Sequence, residues 1–179
     1  LGAAVADMTA YQGHGGVAAG HGVLIMWPLI MEGGIQVNAE GRRFSNEALG
    51  YSEQAAKVNA QPGRVAWSIF DEPRHEMMLQ FEDYRDALDA GAILTASSIA
   101  DLAEKTRLPA DALAETLAAV EAFVAGAARD PFGRDFSGKA PLAAPYRAAK
   151  VVGALLHTQG GLVVARDARC TRRRARPSR

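Results

Sequence analysis

The sequence predicts an α+β fold, a small sheet carrying several helices, and three observations predict it. Gly34-Ile35-Gln36-Val37-Asn38 alternates apolar and polar residues, with β-branched side chains on the apolar positions, the period of a strand. Val65-Ala66-Trp67-Ser68-Ile69-Phe70 is a short apolar run closed by Asp71, the length of a buried strand. Leu113, Leu117, Val120 and Val124 recur at three- and four-residue steps and form one apolar helix stripe.

Taken in order, residues 1–33 are dense in glycine, with Gly13, Gly15, Gly16, Gly20 and Gly22 around His14 and His21. That density predicts turns or close backbone approach, and it places His14 on a loop. The apolar run from Val23 to Ile30 reads as a buried strand broken at Pro28. After the strand at 34–38, Ala39–Arg42 reads as a turn and Arg43-Phe44 as a return strand, giving a hairpin. Residues 51–60 read as a helix stopping before Pro62-Gly63, and 72–90 as one or two short amphipathic helices. Ser97 or Ser98 caps a helix from 98 to 106 with Ile99, Leu102 and Ala103 inward. Pro109 opens the next helix and Gly126 closes it. Residues 129–147 are irregular. Val151-Val152 and Leu162–Val164 read as strands around His157-Thr158-Gln159-Gly160-Gly161.

Composition narrows the partners. The chain has 179 residues and a formal net charge of +0, so nothing in its overall charge points to nucleic acid or a membrane surface. One cysteine, Cys170, allows no internal disulfide and no cysteine-based metal cluster, which fits a cytoplasmic location. No run approaches the roughly 18 apolar residues of a membrane helix. The start, Leu1-Gly2-Ala3-Ala4, has no signal-peptide pattern and suggests a beginning inside a larger protein. The histidines lack close metal-ligand spacing, so no metal site is expected.

The stretch Gly34–Glu47, read as GIQVNAEGRRFSNE, resembles a signature of the fumarate reductase and succinate dehydrogenase flavoprotein superfamily, which includes soluble fumarate reductases and 3-ketosteroid dehydrogenases. Ala66–Asp71 is similar to the next strand of that family, and Leu102-Ala103 with Leu108-Pro109 to its capping-domain helices. Asp130-Pro131-Phe132-Gly133-Arg134 resembles the exit from the cap, and His157–Leu162 the return to the flavin domain. The resemblance runs from about residue 1 to residue 169. It implies a capping domain at 10–133, a stub of the flavin-binding domain at 1–9 and a return into it at 134–169. It also implies FAD, a small-molecule substrate, and hydride transfer between flavin and a C–C bond beside a carbonyl.

The resemblance nominates particular residues. Tyr51 stands where the fumarate-reducing branch has an arginine acid and the ketosteroid branch a tyrosine; a phenol can act there as general acid or base. His157 resembles a histidine beside substrate and flavin, and His14 a substrate-contacting histidine at the domain junction. Thr158, Gly160 and Gly161 would face the flavin. Glu47 is expected to serve structure, pairing with Arg43 or with backbone N–H groups. His75 is expected on a solvated helix. Met26, Trp27 and Ile30 replace the threonine, glutamate and arginine of fumarate reductases. That makes one wall apolar and disfavours a dicarboxylate.

Two features point away from a self-sufficient enzyme. No strand–Gly-x-Gly-x-x-Gly–helix fingerprint occurs in the chain. From Arg166 onward stand seven arginines against one aspartate, and 170–179 reads as a disordered or frame-shifted tail. Two alternatives therefore stand beside the enzyme: an inactive truncated fragment, or a small-molecule-binding module without redox chemistry.

Overall fold

A computed structural model of the chain describes residues 2–25 and 27–172. Met26 and the end of the expected tail, 173–179, lie outside the described residues. In chain order the elements are β1 (Val5–Ala6), β2 (Tyr11–Ala18), α1 (Pro28–Met31), β3 (Ile35–Val37), α2 (Tyr51–Asn59), β4 (Ala66–Asp71) and α3 (Glu72–Met78). There follow α4 (Glu82–Asp89), β5 (Ile93–Ala96), α5 (Ile99–Thr106), α6 (Ala110–Val124), β6 (Tyr146–Thr158) and β7 (Gly161–Leu162).

Strand β6 organises the sheet. Its 13 residues pair antiparallel with β4 through Tyr146–Val151, with β5 through Tyr146–Ala149, and with β2 through Val151–Thr158. Strand β3 adds to the outer edge of β4, Ile35 opposite Ile69 and Val37 opposite Trp67. The segment expected to return into a separate domain therefore shares a sheet with the segments expected in the cap. A second, two-stranded sheet joins β1 to β7.

Period-2 alternation on β4 divides the apolar residues between two cores. Phe70 and Ala66 face one that includes Leu29, Ile30, Val58, Met78 and Tyr84. Ile69 faces the other, with Ile35, Val37, Leu102, Leu113, Leu117 and Val120. Helices α5 and α6 thus cover one face as their stripes predict. Ser98 caps α5 by accepting from Asp101 N–H. Gly126 follows α6 at φ +70°.

Four local expectations are corrected. The run 23–30 is not a strand: Pro28 opens the short helix α1, because its fixed φ suits a first turn. Arg43-Phe44 does not return along β3. Asn38 Oδ1 accepts from Glu40 N–H and Arg42 N–H, which closes a tight turn, and Arg43 then swings inward toward carboxylates, leaving β4 to pair with β3. His14 lies in a strand, β2, rather than on a loop. Strand β5 answers to no expected strand, since Ile93–Ala96 is too short to show a period. The chain is also paired beyond the expected tail boundary: Cys170 bridges Val164 and Arg172 bridges Ala3. Cys170 itself is exposed. No described helix is long and apolar enough to cross a membrane.

Candidate active site

The glycines of β2 and β6 place the site by letting a helix in. A Cβ on Gly13 would lie 2.7 Å from the Ala55 Cβ, and one on Gly15 would lie 2.9 Å from Gln54. A Cβ on Gly153 would collide with the Ala55 carbonyl oxygen. The close approach foreseen from glycine density is therefore to α2. Gly50, at φ +152°, turns the chain into this helix, a conformation suited to glycine. Tyr51 is consequently the first residue of α2 and sits directly over the sheet.

Around Tyr51 the side chains assemble. His14 stacks on its ring at 5.0 Å between centroids and 24° between planes. Trp27 meets the His14 edge at 5.5 Å and Tyr51 at 6.4 Å. Gln12 Nε2 donates to Tyr51 Oη at 2.7 Å. Across the β2–β6 ladder Gln12 stands opposite His157, where side chains on one face lie within reach of each other. His14 and Tyr51 are thus brought into contact, while the exposed His157 stands opposite Gln12 on the ladder without a side-chain hydrogen bond to the group among the described residues. Gln12 was missed by sequence reading; assigning 11–18 to a strand opposite 151–158 would have exposed it.

His14 has a defined chemistry. It is 5% exposed, and its Nδ1 accepts from Gly16 N–H at 3.0 Å. Burial pushes its pKa down to about 4, so at neutral pH it is uncharged with its hydrogen on Nε2. It is a neutral donor, unable to accept a second bond through Nδ1. Trp27, 8% exposed, leaves its indole Nε1 without an acceptor among the described residues. Together His14, Trp27 and Tyr51 make an aromatic wall with few acceptors.

The turn after β6 is less open than expected. His157, Thr158 and Gly161 are exposed. The Gln159 and Gly160 N–H groups both donate to the Ala10 carbonyl, and a Cβ on Gly160 would collide with the Asp7 backbone. Gly160 is therefore required by the chain's own packing. Beside Gly161 a Cβ would meet nothing within 4 Å. Val5, Met8, Tyr11, Leu155 and Leu162 leave an apolar surface around this end of the sheet.

Behind the site lies a buried ion network. Arg43 binds Glu47 through Nε (3.0 Å) and Nη2 (2.7 Å), and Asp130 through Nη1 (2.6 Å). Arg134 reaches Glu47 at 3.2 Å and donates to the Gly34 carbonyl. Its guanidinium covers Phe136 at 4.4 Å. Glu47 also accepts from Gln36 N–H, so the expected structural role of Glu47 holds. The two motifs GRRFSNE and DPFGR meet in one neutral cluster. Next to it Gln36, Gln54, Ser45 and Ser68 satisfy one another by hydrogen bonds of 2.9–3.2 Å.

Two further places bear on site selection. His75 is buried, not solvated: it hydrogen-bonds Tyr84 Oη at 2.7 Å, and burial lowers its pKa. With Glu72 and Glu76 it offers ligand atoms within 4.8 Å of one another, a grouping passed over in the sequence. Arg147 already holds both Glu72 oxygens at 2.8–3.1 Å. A surface hollow of about 580 Å³ lies between the end of α6 and residues 128–138. None of the residues clustered around Tyr51 lines it.

Residues 1–178 match the family described as FAD binding domain. The chain is similar to a fumarate reductase (cytochrome) of Shewanella frigidimarina, 29% identical over 91% of this chain and 28% of that protein. It is also similar to a 3-oxosteroid 1-dehydrogenase of Mycobacterium tuberculosis, 30% identical over 73% of this chain and 29% of that one. Among solved structures, the open conformation of a flavocytochrome c3 fumarate reductase superposes with a TM-score of 0.76 at 25% identity, over 94% of this chain and 31% of that one. The chain thus spans less than a third of the length of each of these relatives.

Proposed function

Since the chain belongs to the FAD binding domain family, whose cofactor is FAD, we propose that it forms the substrate-covering part of an oxidoreductase acting on a C–C bond beside a carbonyl. One observation carries the reading: His14, Tyr51 and Gln12 cluster at the junction of β2, β6 and α2, with His157 across the ladder. On this reading residues 10–133 act as the cap, while 1–9 and 134–169 belong to the body that holds the flavin. The cytoplasm is the proposed location.

The fit to a flavin is partial. Thr158 and Gly161 are exposed at the end of β6 beside an apolar surface suited to a flat ring system. Gly160 does not fit that role, because its N–H and its Cβ position are taken by Ala10 and Asp7. Bound there, the flavin would supply hydride exchange.

The chain's own residues handle the rest. Tyr51 moves the proton at its phenol oxygen. His157 orients a substrate oxygen by hydrogen bonding, and His14, as a neutral Nε2–H donor, offers a second. The Trp27 face excludes water, and the neutral donors around it supply no positive charge to offset a buried dicarboxylate. A ketone of low polarity is therefore the better substrate than fumarate.

A second reading is favoured by the spent amides of Gln159 and Gly160: the chain binds a small molecule without redox chemistry. Adding FAD to the purified protein and recording its visible spectrum separates the two. Shifted flavin bands that bleach on adding a saturated 3-ketosteroid support the oxidoreductase. Free-flavin bands throughout support the binding module. Bands that respond to succinate but not to the steroid would overturn the preference for a less polar substrate.

A further inference from the structure

We infer that Gln12 is a positioning residue for Tyr51, setting the direction of the phenol hydrogen; this rests on the proposed role of Tyr51. A phenol hydrogen lies in the ring plane, and the oxygen has two in-plane directions for hydrogen bonding. Gln12 Nε2–H donates into one of them at 2.7 Å. The hydrogen of Tyr51 must then occupy the other, directed away from Gln12: the phenol gives that proton in the reducing direction, and the phenolate, held by Gln12 Nε2–H, takes one up in the oxidising direction. Gln12 makes and breaks no bond itself.

The surroundings hold Gln12 to this task. It is half-buried on β2, at the register shift between Gln12 and Gly13. Its neighbour Gly13 is clamped on both sides: Gly13 N–H donates to Ser52 Oγ at 3.1 Å, and its Cα faces Ala55 with no room for a Cβ. Residues 12 and 13 therefore grip residues 51 and 52 at the start of α2, one bond each. The His14 ring, stacked on Tyr51, limits rotation of the phenol about its own axis. Opposite Gln12, His157 occupies the other strand. Gln12 is thus the polar group bonded to the proton carrier on α2, at the register position facing the proposed oxygen-orienting histidine on β6. Sequence periodicity offers no reason for a glutamine there, since the strand is neither amphipathic at that point nor buried.

Isosteric substitution tests the direction of the bond. Gln12→Glu keeps the shape, but its carboxylate can only accept, so it draws the phenol hydrogen toward itself. Gln12→Leu removes the bond. In the 179-residue chain with ¹³Cζ-labelled tyrosine, the Tyr51 resonance, identified by its absence in Tyr51→Phe, is expected to move in both variants while those of Tyr84 and Tyr146 stay. An unmoved Tyr51 resonance in Gln12→Leu overturns the inference.

In the flavin-loaded protein, Gln12→Glu is expected to lower kcat at least about tenfold, a fraction of the hundredfold or more that a general acid contributes. KM should change less than about twofold, and Gln12→Leu should fall between Gln12→Glu and the wild type. If Tyr51→Phe abolishes turnover while Gln12→Glu keeps full kcat, the positioning role is wrong and the role of Tyr51 stands. If Tyr51→Phe retains full kcat, the reading on which the inference rests fails.

Discussion

The Arg43–Glu47–Asp130–Arg134 cluster and the His14–Trp27–Tyr51–Gln12 cluster lie in neighbouring parts of the fold, and they are built on opposite principles. In the first, charges cancel and the carboxylates accept from several donors each. In the second, among the described residues, Trp27 Nε1 has no partner and His14 uses only Nδ1. The first is buried throughout, and in the second His14 and Trp27 are buried while Gln12 and Tyr51 are half-buried. What separates them is charge pairing: in the first both carboxylates are bonded to arginine and Arg134 Nε alone lacks a partner among the described residues, whereas the second holds no ion pair. A closed cluster holds structure, whereas an open one has capacity left for a ligand. The conspicuous GRRFSNE motif belongs to the closed cluster, and the residues proposed for chemistry sit elsewhere, on β2, β6 and the start of α2.

The sharpest way to break this contrast is to open the closed cluster. Arg43→Ala leaves Glu47 and Asp130 buried with only Arg134 to offset them. We expect a loss of about 3–5 kcal/mol, typical of a buried pair broken from one side, measured by urea unfolding. A loss below about 1 kcal/mol would mean that water already reaches the cluster.

Next, Gly153→Ala presses a Cβ against the Ala55 carbonyl. Overpacking of this kind costs about 1–3 kcal/mol. Because α2 carries Tyr51, the same change should displace the open cluster while leaving the closed one intact. Circular dichroism with urea gives the first effect, and the Tyr51 ¹³Cζ resonance the second.

The pH response should come from the open cluster. Unfolded, His14 takes up a proton near its ordinary 6.5; folded, it does so only near 4. The unfolded state therefore binds more protons between these values, and stability falls as pH drops from about 6.5 to about 4. At roughly 1.4 kcal/mol per pKa unit, reduced because the ring is not fully sealed, we expect about 2 kcal/mol. His14→Phe should remove that part of the difference between urea midpoints at pH 7 and pH 4. An unchanged difference would place the pH dependence elsewhere.

The smallest effect is expected at Arg42–Glu115. That pair is as short, 2.6 Å, as Arg43–Asp130, yet its side chains are 49% and 64% exposed. Glu115→Gln should cost less than about 1 kcal/mol. A larger loss would show that contact distance, rather than burial, decides what these ion pairs contribute.

Much of the fold was legible where a period was long enough to read. The α5 and α6 stripes, the Ser98 cap, the β4 run and the helix at 51–60 all follow from spacing and capping. Strand β5 was illegible because four residues carry no period. The hairpin expected at 34–44 failed because Asn38 closes a local turn on Glu40 and Arg42, and because Arg43 bonds Asp130, which lies far away in sequence. Asp130, 87 residues from Arg43, could not be matched to it by spacing. The nomination of Tyr51, His14 and His157 came from resemblance, and Gln12 came only from the register of β2 against β6.

By itself the sequence determined the family, the helices with clear stripes, and the glycine-rich setting of His14, because motifs, periods and φ preferences are local. The tertiary structure decided what those glycines approach, which carboxylates Arg43 meets, and that a glutamine holds Tyr51. Those outcomes depend on which distant surfaces come within a few ångströms, and no local pattern encodes that distance.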